Sequence, residues 1–216
     1  MTLSDTTTDT VSLTTATSVS AADLSDSAAA RADRLDAAGT AWGERIDARR
    51  DSAQLTYTVT GQGVGAVAST LRAGRHEFAV DEPAALAGDD LAASPVEVAL
   101  GALISCQVVV YRLYAHALGI QVDDIDVTAE GDLDAARLFG KDESVRAGFG
   151  DVRLRVRLTG PESAERYEEL RAAVDAHCPV LDLFQNPTPV TTRVEVAAGA
   201  AVRREDSCGV VEPHPG

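Results

Sequence analysis

Residues 95–118 are almost all apolar, and both ends of the stretch carry residues that start or stop helices. Ser94 fits an N-cap, Pro95 the first helical position and Glu97 the third. Ser94 and Glu97 can therefore form a reciprocal capping box around backbone donors that no helical carbonyl would satisfy. Gly119 supplies the stop. Between these limits Leu100, Leu103, Ile104, Val108, Val109, Val110 and Leu113 leave a narrow polar face near Ser105, Arg112 and His116. A helix with so little polar surface belongs in a core, so the rest of the chain has to supply the layers that cover it.

Those layers read as strands and a second helix. From Gln54, Leu55, Tyr57 and Val59 alternate with polar neighbours, Gly61-Gln62-Gly63 offers a turn, and further strands are expected near Val64–Arg72 and Arg75–Val80. Asp81 to Ala93 reads as a loop. After the apolar helix come a strand near Val122–Glu130, a polar connection containing Phe139 to Gly150, and Val152–Leu158, where apolar residues alternate with Arg153, Arg155 and Arg157. Those three arginines share a face best read as wet. A helix then opens at Thr159-Gly160-Pro161-Glu162, runs through Tyr167, Leu170 and Val174 and is stopped by Pro179, and Val190–Val196 forms a last strand. This order predicts an α+β domain with helices packed on antiparallel sheet.

The flanks differ in composition. Residues 1–27 are Thr, Ser, Ala and Asp with few large apolar groups, and they are expected to be disordered. Residues 28–50 read as an amphipathic helix interrupted near Gly39 and Gly43. The domain is expected over residues 54–198, with a polar tail over residues 199–216.

Charge and cysteine usage exclude several function classes. The 216 residues hold 34 acidic against 19 basic side chains, a formal net charge of -15 that would repel nucleic acids and anionic membranes. Only Lys141 among the basic residues is a lysine, a balance that fits either a high-salt cytoplasm or a biased genome. The first thirty residues lack Lys and Arg and no uninterrupted apolar run approaches ~18 residues, so neither a signal peptide nor a membrane helix is expected. Three cysteines without dense spacing or a C-x-x-C pair fit a reducing cytoplasm better than a disulfide framework or a zinc site. Gly61, Gly63 and Gly65 lack the Lys-Ser or Lys-Thr that would follow in a phosphate loop.

Cys106 lies inside the apolar helix and Cys178 stands before Pro179-Val180. Read alone, Cys106 is a small buried hydrophobe and Cys178 a helix-end packing residue. With Asp81-Glu82-Pro83, the stretch Ser94-Pro95-Val96-Glu97 leading to Cys106, Arg146-Ala147-Gly148-Phe149, Cys178-Pro179-Val180 and Asn186-Pro187-Thr188-Pro189-Val190, however, the chain from Gln54 to Val196 resembles the OsmC/Ohr family of thiol peroxidases. That resemblance implies an intertwined homodimer with no bound cofactor or metal. It also implies that Cys106 attacks an organic hydroperoxide and that Cys178 resolves the resulting sulfenic acid as a Cys106–Cys178 disulfide in oxidative stress defence. By the same resemblance the reductant is a dithiol, of which a dihydrolipoyl-type donor is one option. Cys208 matches nothing.

Activation of Cys106 is the point of departure from the family. Burial raises a thiol's pKa, and Cys106 lies too many turns from Ser94 for the helix dipole to help, so a cation is required. In the family an arginine held by a glutamate supplies it, which nominates Glu97. Yet Glu97 stands nine residues before Cys106 where the best-known branches have ten, and on a straight helix nine residues mean about 13 Å of rise and about 900° of rotation, on opposite sides. Glu97 is then either part of the site through an intervening group or only a cap. The turn Gly61-Gln62-Gly63 carries no arginine, which leaves Arg72, Arg75 and Arg146 as substitutes, the first two also readable as solvated hairpin residues. These departures motivate an alternative, an OsmC-like binding or stress-associated dimer with little peroxide turnover. A hydrolytic or transfer activity would need a base, and His116 and His177 sit in no recognisable triad.

Overall fold

The computed structural model describes residues 27–196. The expectations for residues 1–26, for the tail beyond residue 196 and for Cys208 lie outside the described residues. The chain falls into two units, Met1–Asn186 and Pro187–Gly216.

The first unit opens with α1 (Ala28–Ala48), capped by Ser27, whose hydroxyl accepts from the Ala30 amide at 3.1 Å. The expected interruption at Gly39 and Gly43 does not occur. Nothing lies within 4 Å of a Cβ built on either glycine, and exposed glycines weaken a helix by only about 1 kcal/mol each. A short 3-10 turn, Arg50–Ala53, leads to a three-stranded antiparallel sheet of β1 (Val59–Val64), β2 (Ala68–Ala73) and β3 (His76–Val80) in sequence order. Here the expected turn at Gly61-Gln62-Gly63 is corrected. Those residues lie within β1 opposite Leu71, Thr70 and Ser69, and the chain reverses at Gly65, whose φ of +58° glycine adopts without cost. All six residues of β1 are exposed.

The loop after β3 is held shut by Asp81. Its buried carboxylate accepts from the Asp89 and Leu91 amides at 3.0 and 3.2 Å, and its own amide donates to Ala93 O at 3.2 Å. The motif Asp81-Glu82-Pro83 is thus accounted for by loop geometry. Gly88 packs so tightly on Glu82 that an added Cβ would fall 1.7 Å from its carbonyl oxygen.

The loop delivers α2 (Pro95–Ala117) with the expected capping box: Ser94 N and Oγ donate to Glu97 Oε2 at 2.8 and 2.7 Å, and Glu97 N donates to Ser94 Oγ at 3.4 Å. By length and composition alone α2 is long and apolar enough to cross a membrane. In the fold it packs against the later segments Asp124–Asp132, Ala164–His177 and Pro179–Gln185. It ends at Leu118 and Gly119, the latter at φ +63°.

β4 (Asp124–Asp132) and β5 (Asp151–Thr159) form an antiparallel pair with alternating burial. Val152, Leu154, Val156 and Leu158 pack on the core. On the other face Arg153 contacts Glu130, Asp132 and Asp151, and Arg157 contacts Asp126, so two of the three arginines on the wet face are ion-paired. α3 (Ala164–His177) begins five residues later than expected, because Thr159 ends β5 and Ser163 is the cap. α4 (Pro179–Gln185) follows directly. Pro179 ends α3, and its fixed φ also suits the first position of the next helix.

The core gathers Leu103, Tyr111, Leu170 and Val174, almost sealed from solvent, with Val110, Ile120, Val122, Cys178 and Leu181. Burying a side chain such as Leu170 contributes about 1.5–3 kcal/mol. α2 is less enclosed than its composition predicts: Val96, Val109 and Leu113 remain 41–56% exposed.

In the second unit, residues 187–196 form no strand, which corrects the expected strand at Val190–Val196. Val190, Val194 and Val196 are exposed. A strand forms when its backbone groups pair, and that segment holds no second strand of its own.

Candidate functional site

Cys106 lies midway along α2, and Cys178 is at once the residue that ends α3 and the N-cap of α4. The fold brings the two side chains into hydrogen-bonding reach of each other, and both thiols are free. Cys178 is 2% exposed and Cys106 half-buried. The Val180 amide, at the start of α4 where helix amides have no carbonyl partner, donates to the Cys106 sulfur. Burial pushes the Cys106 thiol above its ordinary value of 9.0, the Val180 amide opposes that rise, and the Cys178 thiol adds to it. Among the described residues, no guanidinium is one of the main groups acting on it.

The other sequence-nominated residues lie elsewhere. Glu97 is engaged in the capping box, and Ser94's hydroxyl and amide hold its carboxyl below its ordinary value of 4.5. Arg72 pairs with Glu77 directly across β2 and β3. Arg75 sits in the turn between those strands. Arg146 is exposed and lines two cavities beside β5.

The histidines hold structure. His116 Nε2 lies 2.7 Å from Asp36 Oδ1, tying α1 to the end of α2. His177 stacks on Tyr114 with centroids 4.5 Å apart, and its Nδ1 lies 2.7 Å from Ala173 O, so that nitrogen carries the hydrogen. Among the described residues no group of three or more His, Cys, Asp or Glu side chains is placed to hold a metal ion.

Sequence reasoning missed Gln107. It adjoins Cys106 on α2, but on a different face, one stripe with Leu103 and Tyr111 that looks into a cleft of about 1070 Å³ between α2, β5, α3 and α4. Arg146, Gly148 and Phe149 form part of its wall. Phe149 packs over Gly131, where a Cβ would meet its ring at 2.6 Å, and stacks with Phe184 of α4. Gln107 is 1% exposed and its Nε2 has no hydrogen-bond partner. A lone amide within an apolar run was the available signal.

A family profile described as OsmC-like protein matches residues 88–193. The fold is similar to that of an OsmC-like protein from Mycoplasma pneumoniae at a TM-score of 0.54 and 17% identity, covering 61% of this chain and 89% of that one. An organic hydroperoxide resistance protein OsmC from Legionella pneumophila matches at a TM-score of 0.49 and 22% identity, over 62% of this chain and 91% of that one. The organic hydroperoxide resistance protein OhrB of Bacillus subtilis matches at 0.45 and 22%, over 61% and 91%. No curated protein is significantly similar in sequence. Residues 88–193 thus match the OsmC-like family model, and the α+β fold is that of OsmC-like proteins.

Proposed function

We propose that the protein is a two-cysteine peroxidase that reduces organic hydroperoxides. The observation that carries this reading is the meeting of Cys106 with both the Cys178 thiol and the Val180 amide. The Cys106 thiolate attacks the distal peroxide oxygen, the O–O bond breaks, and the leaving alkoxide takes a proton to become an alcohol. Cys106 is then a sulfenic acid. The Cys178 thiolate attacks that sulfur, a disulfide forms, and hydroxide leaves as water with one proton. A dithiol reductant, for which the family likeness suggests a lipoyl type, returns both thiols while becoming a disulfide itself. No metal or organic cofactor takes part in this scheme. We place the reaction in the cytoplasm, where a reducing pool keeps both thiols available.

The active species in this reading is a homodimer. β1–β3 pack chiefly on one another, Val59, Val64 and Phe78 are 40–56% exposed, and α2 leaves Val96, Val109 and Leu113 uncovered. A second copy covers such surfaces and brings further arginines toward Cys106. Arg72, Arg75 and Arg146 are the guanidinium groups we nominate for activating the thiol. Glu97 would orient one of them only by giving up its cap.

A second reading, an OsmC-like binding or stress-associated dimer with little turnover, is favoured by one observation: among the described residues, burial is the largest influence on Cys106 and no cation offsets it. One experiment separates the two. Reduced protein receives one equivalent of an alkyl hydroperoxide and its disulfides are mapped, beside Cys106→Ser and Cys178→Ser. The peroxidase reading expects a Cys106–Cys178 bond within seconds, no peroxide loss in Cys106→Ser, and trapped sulfenic acid in Cys178→Ser. Peroxide consumption that survives Cys106→Ser removes it. Oxidation only over hours favours the binding reading.

The pH dependence of Cys106 alkylation reports the missing cation. Because the folded thiol is raised, stability tied to its protonated form is present below 9.0 and lost as pH climbs through the higher folded value. With this chain's groups alone the alkylation midpoint lies above 9.0. A midpoint below 9.0 at dimer-forming concentrations locates the cation on the second copy.

A further inference from the structure

The cleft beside β5 is built differently from the thiol pocket, and neither cysteine lines it. Its floor holds the Gln107 Nε2 donor, sealed from solvent and without a partner. Leaving such a donor unpaired costs about 1–3 kcal/mol, a penalty that a bound acceptor oxygen removes. Tyr111, the next residue of the same stripe, has its hydroxyl pushed up to about 12, chiefly by burial and then by Asp175, so it stays neutral at physiological pH.

The charged residues of the lining sort into matched and unmatched groups. Arg171 is paired with Glu168 and Asp175, and Asp151 with Arg153. Arg146 and Arg155, both exposed, have no ion pair or hydrogen bond among the described residues. Between floor and edge lie Val152, Leu154 and Val156 of β5 with Phe149 and Phe184. The cleft therefore offers a buried neutral donor, an apolar wall and two exposed cations.

We propose that this cleft binds a small organic carboxylate with an apolar body and a second acceptor oxygen. The carboxylate meets Arg146 and Arg155, the body lies on the apolar residues of β5 and the two phenyl rings, and the second oxygen takes the Gln107 amide. This site is distinct from the Cys106–Cys178 pair, and it stands or falls without peroxide chemistry. Gln107 sits one residue from Cys106 on α2, so occupation of the cleft stiffens the turn that carries the thiol.

The test is calorimetric titration of the reduced full-length protein, with no peroxide present. The probes are benzoylpropionate, its deoxy analogue phenylbutyrate, which lacks the ketone, and the neutral benzoylpropionamide. Benzoylpropionate should bind saturably at one site per chain and more tightly than either analogue by about tenfold, the worth of one buried or charge-assisted hydrogen bond. Gln107→Leu should bind benzoylpropionate and phenylbutyrate equally while unfolding at the same temperature as the wild type or higher, since it deletes an orphaned donor. Arg146→Gln should weaken the preference over the amide, and the double variant Arg146→Gln with Arg155→Gln should erase it. No saturable binding of benzoylpropionate overturns the proposal, as it would if a second copy fills the cleft. Equal affinity of wild-type protein for ketone and deoxy probes also overturns it, whether or not Gln107→Leu folds. So does discrimination that survives in Gln107→Leu.

Discussion

The three-stranded sheet β1–β3 and the assembly of α2, β4, β5, α3 and α4 are made from similar residues, yet one is exposed almost throughout and the other encloses a core. Both sheets are antiparallel and both carry cross-strand Arg–acid pairs, Arg72 with Glu77 and Arg157 with Asp126. The difference lies in what covers them. β4 and β5 turn Ile125, Val152, Leu154, Val156 and Leu158 onto helices, whereas β1 has all six residues open. Strand pairing alone therefore does not stabilise a sheet; a covered face does. Among the described residues, β1 has no such cover.

The largest expected effect tests this contrast directly. Leu170, with no solvent exposure, and Phe78, 40% exposed, are compared as alanine variants by denaturant unfolding over a range of protein concentrations. Leu170→Ala loses about 2–5 kcal/mol at every concentration, because it leaves a cavity in the core. Phe78→Ala loses less than about 1 kcal/mol in dilute protein, as for most surface positions, and more only where the chains associate. An equal loss in dilute protein would mean that β1–β3 already has a cover within the chain.

Glycines sharpen the same comparison at a smaller scale. A Cβ on Gly131 of β4 would stand 2.6 Å from the Phe149 ring, whereas nothing lies within 4 Å of one on Gly63 of β1. Gly131→Ala is expected to cost about 1–3 kcal/mol through overpacking. Gly63→Ala should be neutral or stabilising, because it restricts only the unfolded chain. Thermal unfolding of the two variants decides it, and a loss in Gly63→Ala matching that in Gly131→Ala would sink the comparison.

Local signals explain which parts were legible in the sequence. The limits of α2 follow from Ser94, Pro95, Glu97 and Gly119, residues that act within one turn of themselves, and the structure bears them out. β5 was equally readable, since Val152 to Leu158 alternate cleanly. The first hairpin was not, because Gly61, Gly63 and Gly65 each permit a turn and only pairing with β2 selects the last. Val190–Val196 has strand composition, but pairing is tertiary and lies outside any local pattern. The same limit governs the site. Motifs could nominate Cys106 and Cys178, but their contact depends on how α4 starts beside α2. Gln107 was hidden because an amide in an apolar run looks incidental until the cleft beside it is seen.

The connection between the two halves gives the smallest effect and one whose pH dependence carries the information. Ser94 anchors the loop that follows β3 to the first turn of α2, and Ser94→Ala should cost about 1 kcal/mol near neutral pH by removing a cap. Ser94's hydroxyl and amide hold the Glu97 carboxyl below its ordinary 4.5. Asp81's is held below its ordinary 3.8 by the backbone amides of Glu82 and Leu91, with a smaller contribution from Asp89. In both, the folded chain binds the proton more weakly than the unfolded one. Their contribution is therefore present above the ordinary value and lost as pH falls through the lower folded value. The Ser94→Ala penalty should then shrink as acid protonates Glu97, while an Asp81→Asn variant, whose loop does not depend on Glu97, keeps the Glu97-linked part of the acid limb. Unfolding free energies measured from neutral pH down through 4.5 test this. A Ser94→Ala penalty that does not change across that range would show that Glu97 gains nothing from the cap, and would free it to reach an arginine instead.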